Sequence, residues 1–539
     1  MAFKTNDYQQ ITLTDTFLNL SPRTRKIVEK SWAKDFADIV FPAINEERFS
    51  VLYSDHKFSR PNTPVNIIVG GLILKESMDL TDDELIESIC CDVRFQYALH
   101  TTHLDDQPVS DRTFSRFREK VYHYSLEHNG CNLFEEEMKH LTEVYAKYMN
   151  LNSNVKRMDS LMIASRCKRM SRLEIIYTVT ANAVKLLHRL GQDFLLKYEM
   201  LHYLDEDDCN KIIYHCKGED VTDRLKSVIA DAVYISGIMK EDAFCDFQEY
   251  MLLTRVLNEQ TDIDDDGNII PKKNKDITTD SLQNPSDPDA TFREKAGKQN
   301  KGYVGNIVET VGENGDSLIT EFQVEQNTHS DSQFCQDYLE KRDENSKDEV
   351  LITDGAYGGK KNREKAASVN TTLVTTALTG KAIDPFFGDF DFTENGKEIL
   401  RCPMGHSPLK TTYYPKTGMC RALFARNCCD KCPHKDKCHP REQKKNYAVH
   451  VSKSMAERAA YLRQLSTEAY KKYTNLRNAV EGIPSVMRRK YHVDDLPVFG
   501  LNRTRMAFAL KVGAYNFKKL LKHNRNTEDN NCAHRVAFC

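Results

Sequence analysis

The sequence predicts a mixed α/β protein in which a mixed sheet is flanked by helices, and three observations support this. Residues 350–353 form a short aliphatic run with charged residues before it and glycines after it, which is typical of a buried strand. Residues 155–163 alternate apolar and polar side chains, as a second strand would. Residues 302–324 alternate around a glycine-rich turn, which predicts a hairpin. With a helix expected at 332–342, the order strand, hairpin, helix, strand gives a sheet covered by helices.

The composition is that of a globular protein. The 539 residues allow about two to four domains with a sizeable core. Charged residues make up 29% and the net charge is only −3, so any contact with nucleic acid requires a local concentration of Lys and Arg. No apolar run approaches the length of a membrane span, and residues 1–7 lack the apolar core of a signal peptide. We therefore expect a cytoplasmic protein with no membrane partner.

Residues 1–150 have a helical pattern throughout and predict an N-terminal helical domain. Thr81 with Glu84 three residues later forms a capping box, which opens one of its helices. A later helix begins near Ser110 and carries Arg112 and Arg116 on one stripe. Short helices that end in a basic one could hold DNA in the manner of a helix-turn-helix. The alternative is a plain helical domain with a solvated basic face.

Residues 151–383 carry the strands and predict the first part of a catalytic core. Helical spacing returns at about 165–260, which indicates an all-helical insertion between the Asp159 strand and the hairpin. Residues from about 260 to 300 are polar and rich in Asp, Asn, Lys and Pro, so we expect a linker or a mobile loop there.

Asp354 ends the buried strand and is followed at once by Gly355, where the backbone must turn. An acidic side chain at the carboxyl end of a strand lies at the edge of an α/β sheet where ligands usually bind. The alternative is a turn aspartate that merely closes the strand. Position alone does not separate the two.

Residues 384–450 are rich in cysteine and predict a small zinc-binding insert. The chain has 16 cysteines, which we expect to be reduced in the cytoplasm, so a tight cluster is better explained by metal than by disulfides. Two sulfurs two residues apart can chelate one ion from a tight turn, and two more complete a closed, structural tetrahedral site. The predicted ligands are Cys402, Cys429, Cys432 and Cys438, with Cys420, Cys428, His406 and His439 as alternatives.

Residues 451–539 form the final part of the chain. A long helical pattern at 455–489 contains Arg477 and Glu481, and Gly482 and Pro484 are expected to bend or interrupt it. The tail that follows is basic from Arg488 to Arg525.

Asp159, Asp354 and Glu481 lie where a site centred on the sheet could use them. Phosphodiester chemistry needs such carboxylates because two divalent cations must be held side by side. Hard cations such as Mg²⁺ prefer carboxylate oxygen. The chain has 79 acidic residues, so a triple chosen by eye carries little weight without further support.

A resemblance to a known family supplies that support. The run 354–357, the Asp159-Ser160 strand, Gly302-Tyr303 at the start of the hairpin, and Arg477 four positions before Glu481 together resemble DDE transposases of bacterial insertion sequences. The likeness extends from the N-terminal helical region to the basic tail. It implies a ribonuclease H-like catalytic core, and the family is similar in having a cysteine-rich insert between its second and third acidic residues.

The resemblance implies a role for each matching residue. Asp159, Asp354 and Glu481 would be the catalytic carboxylates that hold two Mg²⁺ (or Mn²⁺) ions, and Arg477 would contact DNA phosphate. Thr474 stands where the family has a tyrosine, and Arg488 stands where it has a lysine. The DNA-binding residues implied or predicted in this way are Arg477, Arg488, Arg489, Arg112, Arg116 and Arg118.

The expected function is cut-and-paste transposition of the protein's own element. The partners would be double-stranded DNA at the element ends and target DNA, bound by a homodimer on the bacterial nucleoid. One alternative is a catalytically inactive, zinc-stabilised DNA-binding protein or domesticated transposase. Another is a metal-dependent nuclease that cleaves strands without joining them.

Overall fold

The structure, a computed structural model, describes the chain except residues 7–14, 55–59, 103–108, 215–219, 242, 296, 377–381, 481 and 537–539. It confirms the predicted fold class, since helices surround a sheet with both parallel and antiparallel strand pairs, consistent with a ribonuclease H-like core. The chain forms two compact units: the first comprises Met1–Ser153, Ser160–Ser330 and Pro484–Cys539, and the second Asn154–Asp159 and Asp331–Ile483. Among the described helices, none is both long and apolar enough to cross a membrane.

The first unit begins with short helices. They are α1 (Pro22–Glu29), α2 (Trp32–Asp35), α3 (Val65–Met78), α4 (Asp82–Cys91), α5 (Val93–Ala98), α6 (Thr113–Glu127) and α7 (Leu133–Tyr148), with a π-helix at Phe36–Val40 and 3₁₀ turns at Thr16–Asn19, Phe41–Ala43 and Glu46–Leu52. The predicted capping box is confirmed, because the Thr81 side chain accepts from the Glu84 N–H and the Glu84 carboxylate accepts from the Thr81 N–H at 2.7 Å. The fully buried Phe114 and Phe134 belong to the core of this region.

The strand predicted around Asp159 is present as β1 (Val155–Ala164). The helical insertion predicted after it is also present, as α8 (Arg172–Arg189), α9 (Asp208–Tyr214), α10 (Asp220–Met239) and α11 (Gln248–Gln260), with 3₁₀ turns at Asp193–Leu195 and Tyr198–Leu204. Leu187, Ile235 and Leu253 are fully buried in its own apolar core. Two short strands follow, β2 (Thr261–Ile263) and β3 (Ile269–Pro271), and a 3₁₀ turn at Asn274–Asp276.

The predicted hairpin is present as β5 and β6, and a preceding strand extends it. β4 (Thr291–Lys295) pairs antiparallel with β5 (Lys298–Val311), which pairs antiparallel with β6 (Ser317–Gln326). Gly302 has a positive φ of 138°, and a Cβ there would lie 2.4 Å from the carbonyl oxygen of Ile163 in β1. Only glycine therefore fits where β5 passes the end of β1.

Residues 260–300 contain more structure than their polar composition predicts. Besides β2, β3 and β4, this segment holds Asp287, which is fully buried. Its carboxylate accepts from the Ser165 hydroxyl at 2.5 Å, from the Tyr303 hydroxyl and from the Gly500 N–H at 3.0 Å. The prediction of a linker or mobile loop missed these strands and contacts. A polar composition indicates exposure to solvent, and the buried partners of such residues are distant in sequence.

The second unit contains the parallel part of the sheet. After α12 (Asp331–Glu340) come β7 (Glu349–Thr353), α13 (Lys360–Ser368) and β8 (Thr371–Thr375). β7 pairs in parallel with the first half of β1 on one side and with β8 on the other. The buried strand predicted at 350–353 is thus confirmed as the middle strand of three parallel ones.

A buried ion-pair network closes the amino-terminal edge of these parallel strands. The Glu349 side chain is 4% exposed, and its carboxylate accepts from Arg342 Nη1 at 2.8 Å and from the Tyr338 hydroxyl at 2.9 Å. Lys156 Nζ from β1 lies 3.2 Å from the same carboxylate. The network therefore ties β1, α12 and β7 together.

Glu349→Gln is expected to lower the free energy of unfolding by about 3 kcal/mol, because it removes the buried negative charge that compensates the partly buried Arg342 and Lys156. The shift of the urea unfolding transition measures this loss. Glu364→Gln is the matched control, since Glu364 is 66% exposed in a 3.8 Å pair with Lys360, where a change within about 0.5 kcal/mol is expected. Equal losses for the two variants would contradict the assigned role of the network.

The cysteine-rich segment forms a small antiparallel layer within the second unit. It comprises a 3₁₀ turn at Pro385–Asp389, β9 (Asp391–Phe392), β10 (Ile399–Arg401), β11 (Lys410–Tyr414), β12 (Met419–Ala425), α14 (Arg426–Asp430), α15 (Lys435–Cys438), β13 (Arg441–Glu442) and β14 (Asn446–Val451). The order of the larger sheet is β11-β12-β14-β13. Its apolar core includes Phe390, Phe424 and Val451, which are all buried.

The C-terminal helical pattern is divided into separate helices. They are α16 (Lys453–Leu465), α17 (Glu468–Val480), α18 (Gly482–Tyr491) and α19 (Leu501–Val536), with a 3₁₀ turn at Val493–Asp495. An interruption at Ser466–Thr467 was not predicted. Gly482 and Pro484, where a bend or interruption was predicted, lie within α18, and residue 481 before them lies outside the described residues. In the first unit, α19 packs on α3, α7 and β6. Its buried Asn516 accepts from the Ile319 N–H at 2.9 Å and donates to the Ile319 carbonyl at 2.8 Å.

Candidate active site

Asp159 and Asp354 occupy equivalent positions on neighbouring parallel strands. In the β1–β7 ladder Arg157 is paired with Ile352, and each aspartate comes two residues later along its own strand (157 + 2 = 159 and 352 + 2 = 354). Side chains two residues apart in a strand point to the same face. Both aspartates are partly exposed, whereas Arg157 and Ile352 are buried. The register therefore puts Asp159, in the middle of β1, and Asp354, directly after β7, at equivalent positions two residues beyond the last paired residues.

The loop after β7 holds Asp354 in place. Its Oδ1 accepts from the Ala356 N–H at 2.8 Å, which closes a tight turn. Tyr357 is fully buried, and its carbonyl accepts from the buried Asn362 amide at 2.8 Å. A Cβ on Gly358 would lie 2.3 Å from Thr375 Cγ2, so glycine is required at this close approach. This close approach explains Gly358.

The third predicted carboxylate, Glu481, lies outside the described residues. The helix that leads to it, α17, packs against β7. Arg157 on β1 is 6% exposed, and its Nη1 donates to the Leu476 carbonyl of α17 at 2.7 Å. Arg477 follows directly and is partly buried. The end of α17 is thus tied to the strand that carries Asp159.

An aromatic and basic cluster borders the same edge of the sheet. Tyr461 on α16 holds the end of β8, since its hydroxyl accepts from the Thr375 N–H at 2.8 Å and donates to the Thr375 carbonyl at 3.0 Å. The Arg363 guanidinium lies 4.5 Å from the centre of the Tyr461 ring, a cation–π distance. Thr375 is paired with Thr353, the residue before Asp354.

The sequence interpretation missed Arg157, Tyr461 and Arg363. A signal for Arg157 was available, because a charged residue two positions before Asp159 in a buried strand must share the face of that aspartate. No comparable signal exists for Tyr461 or Arg363, whose neighbours are distant in sequence.

The arginines predicted to bind DNA differ in their surroundings. Arg112 and Arg116 are exposed around the start of α6. Arg118 instead binds Asp82, with Nη1 3.1 Å from Oδ1. Burial alone would raise the pKa of the Asp82 carboxyl, but the hydrogen bond and charge of Arg118 lower it below its ordinary value. Arg118 is therefore engaged within the fold.

Arg488 and Arg489 are exposed on α18. Arg488 Nε lies 3.5 Å from Asp494 Oδ1, and Arg489 Nε donates to the Ser485 hydroxyl at 3.0 Å. Both contacts are local and leave the guanidinium groups accessible to solvent.

The four predicted zinc ligands converge on one small cavity of about 30 Å³. Its lining includes Cys402, Cys429, Cys432 and Cys438, together with the alternatives Cys428 and His406. The alternative Cys420 is engaged elsewhere, with its thiol 3.3 Å from the Lys397 carbonyl.

The thiols of this cavity affect one another. Burial, followed by the charges of Cys429, Cys432 and Cys402, raises the pKa of the Cys438 thiol to about 12. Burial and the neighbouring cysteines raise the pKa of the Cys429 thiol to about 11. In the part of the chain that the structure describes, no group of three or more His, Cys, Asp or Glu side chains is arranged to hold a metal ion.

Two family models match separate parts of the chain. One, described as a transposase DDE domain, matches residues 401–521, which include most of the cysteine-rich layer, Arg477 and much of α19. The other, described as a transposase domain (DUF772), matches residues 26–120 in the N-terminal helical region. Asp159 and Asp354 lie outside both segments, so their pairing rests on the strand register. No curated protein and no solved structure matches the chain. The two matched segments are therefore similar to transposase domains, which supports the resemblance to DDE transposases of insertion sequences.

Proposed function

We propose that the protein is a cut-and-paste DNA transposase that cleaves and joins strands at the ends of its own element. The observation that supports this proposal is the register of β1 and β7, in which Asp159 and Asp354 each follow by two residues the paired Arg157 and Ile352. A non-catalytic DNA-binding protein has no need of paired carboxylates at this position.

The carboxylates of Asp159, Asp354 and Glu481 are the proposed ligands of Mg²⁺ or Mn²⁺. Such ions, when bound, would neutralise charge on the attacking and leaving oxygens of a phosphodiester. The paired acidic side chains fit hard cations. The contact between Asp354 and the Ala356 N–H orients one carboxylate, and the Arg157–Leu476 contact positions the helix that leads to Glu481.

The proposed reaction has two steps on DNA. Water attacks a phosphodiester at the element boundary, which breaks a P–O bond and frees a 3′-hydroxyl. That hydroxyl then attacks a phosphodiester of the target, and the displaced target 3′-oxygen leaves. Arg477 would contact a phosphate of the bound strand. Paired ends imply a dimer on DNA, acting on the nucleoid in a bacterial cytoplasm.

The proposal is tested with a plasmid that carries the gene's native flanking DNA. Excision and joining by the intact protein with Mg²⁺ are compared with those by Asp354→Ala. We expect excision and joining only with the intact protein, and DNA retention with both. Cleavage without joining would instead establish a nuclease. DNA binding without cleavage by either protein would favour the non-catalytic, zinc-stabilised alternative.

We also propose that the cysteine-rich layer binds one structural zinc ion through Cys402, Cys429, Cys432 and Cys438. Four thiols around one small cavity fit the donor set of a closed tetrahedral site. Zinc binding requires the side chains to lose their protons and close around the ion. The ion would stiffen this layer, whose apolar core is small.

Purified protein is expected to contain about one zinc ion per chain. The double variant Cys429→Ser/Cys438→Ser should lose the zinc and unfold at a lower temperature, because metal binding contributes to folding. Cys91→Ser is the matched control, since its thiol is exposed on α4, and it should keep the zinc. Elemental analysis and thermal unfolding measure both effects. A folded, metal-free intact protein would refute the zinc proposal.

A further inference from the structure

A groove of about 780 Å³ in the first unit is lined by several basic side chains. Its walls are the last turn of α3, the end of α18 and one face of α19. The basic side chains that line it are Arg489, Lys490, His492, Lys518, Lys519 and Lys522, and we call it the cationic groove. Lys518 and Lys522 are four residues apart in α19 and so lie on one helical face.

Some cations of the basic tail form ion pairs with carboxylates of the fold, and others do not. Lys511 pairs with Glu76 at 2.7 Å, and Arg505 pairs with Glu325 at 2.7 Å. Arg503 lies 3.2 Å from Glu119, and its guanidinium is 3.8 Å from the centre of the Tyr122 ring. These contacts stabilise the fold, and the cations that make them are not available to a ligand.

The groove contains little compensating charge. Among the described residues that line it, Asp79 is the single acid, and its Oδ2 lies 3.2 Å from His492 Nε2. Lys519 is compensated by Glu309 at 3.5 Å. In the described structure no carboxylate lies within ion-pair distance of Lys490, Lys518 or Lys522. Burial, and then the charges of Arg525 and Lys490, lower the pKa of the Lys518 ammonium. Lys518 is therefore repelled by Arg525 and Lys490, and an anion would relieve that repulsion.

The geometry favours a chain of phosphates over one small anion. α3 ends at Met78 and α18 ends at Tyr491, so two helix C-termini, with their partial negative charge, lie at the groove. Compact phosphate sites use helix N-termini or bidentate arginines, whereas lysines act as point charges along a nucleic-acid backbone. Residues 515–522 alone extend about 10 Å along α19. Several phosphates can therefore be reached at once.

We infer that the cationic groove binds the phosphodiester backbone of duplex DNA through Lys490, Lys518 and Lys522, as a DNA-binding surface additional to the paired carboxylates. This inference rests on the proposed transposase function, which supplies DNA as the ligand. It adds three specific phosphate contacts, which are independent of base sequence.

The test uses the full-length protein and a fluorescein-labelled random duplex of about 30 base pairs. The variant Lys490→Gln/Lys518→Gln/Lys522→Gln should bind about 10- to 100-fold more weakly at 0.15 M salt. The slope of log affinity against log salt should become shallower by about 3, or about 1 for each lysine. The control Lys185→Gln/Lys226→Gln/Lys240→Gln makes the same charge change at exposed positions of the helical insertion and should leave the slope unchanged.

Two further measurements distinguish an effect of lost charge from an effect of lost folding. Because the positive charges of Lys490 and Lys518 repel each other, the glutamine variant should melt no lower than the intact protein. The charge-retaining variant Lys490→Arg/Lys518→Arg/Lys522→Arg should keep the original salt slope. Loss of binding in the arginine variant as well would overturn the inference, since shape rather than charge would then be responsible. Displacement of the duplex by submillimolar pyrophosphate would also overturn it, by assigning the groove to a compact anion.

The outcomes separate this inference from the proposed function. If the intact protein binds no duplex, both fall together. If it binds duplex and cleaves the element ends, but the groove variant has the same salt slope as the control, only the groove inference is overturned.

Discussion

Asp354→Asn is expected to lower the rate of DNA cleavage by about 10³-fold, a loss of about 4 kcal/mol of transition-state stabilisation. The substitution keeps the size of the side chain and removes the negative charge that the proposed cations require. The Ala356 N–H can still donate to the remaining carbonyl oxygen of the side chain, so the turn after β7 should survive. Folding and DNA affinity should therefore change little. Nicking of a plasmid with the native flanking DNA measures the rate.

Asp348→Asn is the matched control for this prediction. Asp348 is exposed and directly precedes the same strand, at its amino-terminal end, so a normal cleavage rate is expected. Asp159→Asn should lose as much activity as Asp354→Asn, and the double variant should lose hardly more than either. Groups that act as a unit show such non-additivity. Independent, additive losses would argue against a shared site for the two carboxylates.

The strands of the site were predictable because their signals are local. The apolar run before Asp354 and the glycines after it indicate a buried strand and a turn from adjacent residues alone. The structure gives the reason for one of these glycines, since a Cβ at Gly358 would collide with Thr375. The alternation around Asp159 is equally local. Composition and spacing therefore sufficed for β1, β7 and the hairpin.

The pairing of the strands was not predictable from the same signals. Val155 is paired with Val350, and no pattern in either segment specifies that register. Recognition of the family, and not periodicity, selected Asp159 and Asp354 from the many acidic residues. The buried Asp287 shows the same limit, because its partners Ser165 and Gly500 are distant in sequence. Local patterns thus give the elements, while long-range contacts determine the site.

Arg157→Met is expected to lower the cleavage rate about 10²-fold while the affinity for DNA changes little, because a displacement of about 1 Å in a catalytic group is sufficient for such a loss. Arg157 is a positioning residue in this account. Its Nη1 donates to the Leu476 carbonyl at 2.7 Å, and that contact holds the end of α17 against the strand that carries Asp159. Methionine keeps the apolar stem and removes the donor. The substitution should therefore lower kcat and leave KM nearly unchanged.

The variant Glu349→Gln is the control that distinguishes a loss of positioning by Arg157 from a loss of protein stability. Glu349 contacts Lys156, the neighbour of Arg157 in β1, but at the opposite end of the parallel strands from Asp354. It should cost at least as much unfolding free energy as Arg157→Met, for which about 1–3 kcal/mol is expected from the lost hydrogen bond of a charged group. At a temperature where both variants are folded, Glu349→Gln should cleave DNA normally and Arg157→Met should not. If both lose activity in proportion to their stability, the Arg157–Leu476 contact serves only the fold, and the helix before Glu481 is positioned by its packing on β7 alone.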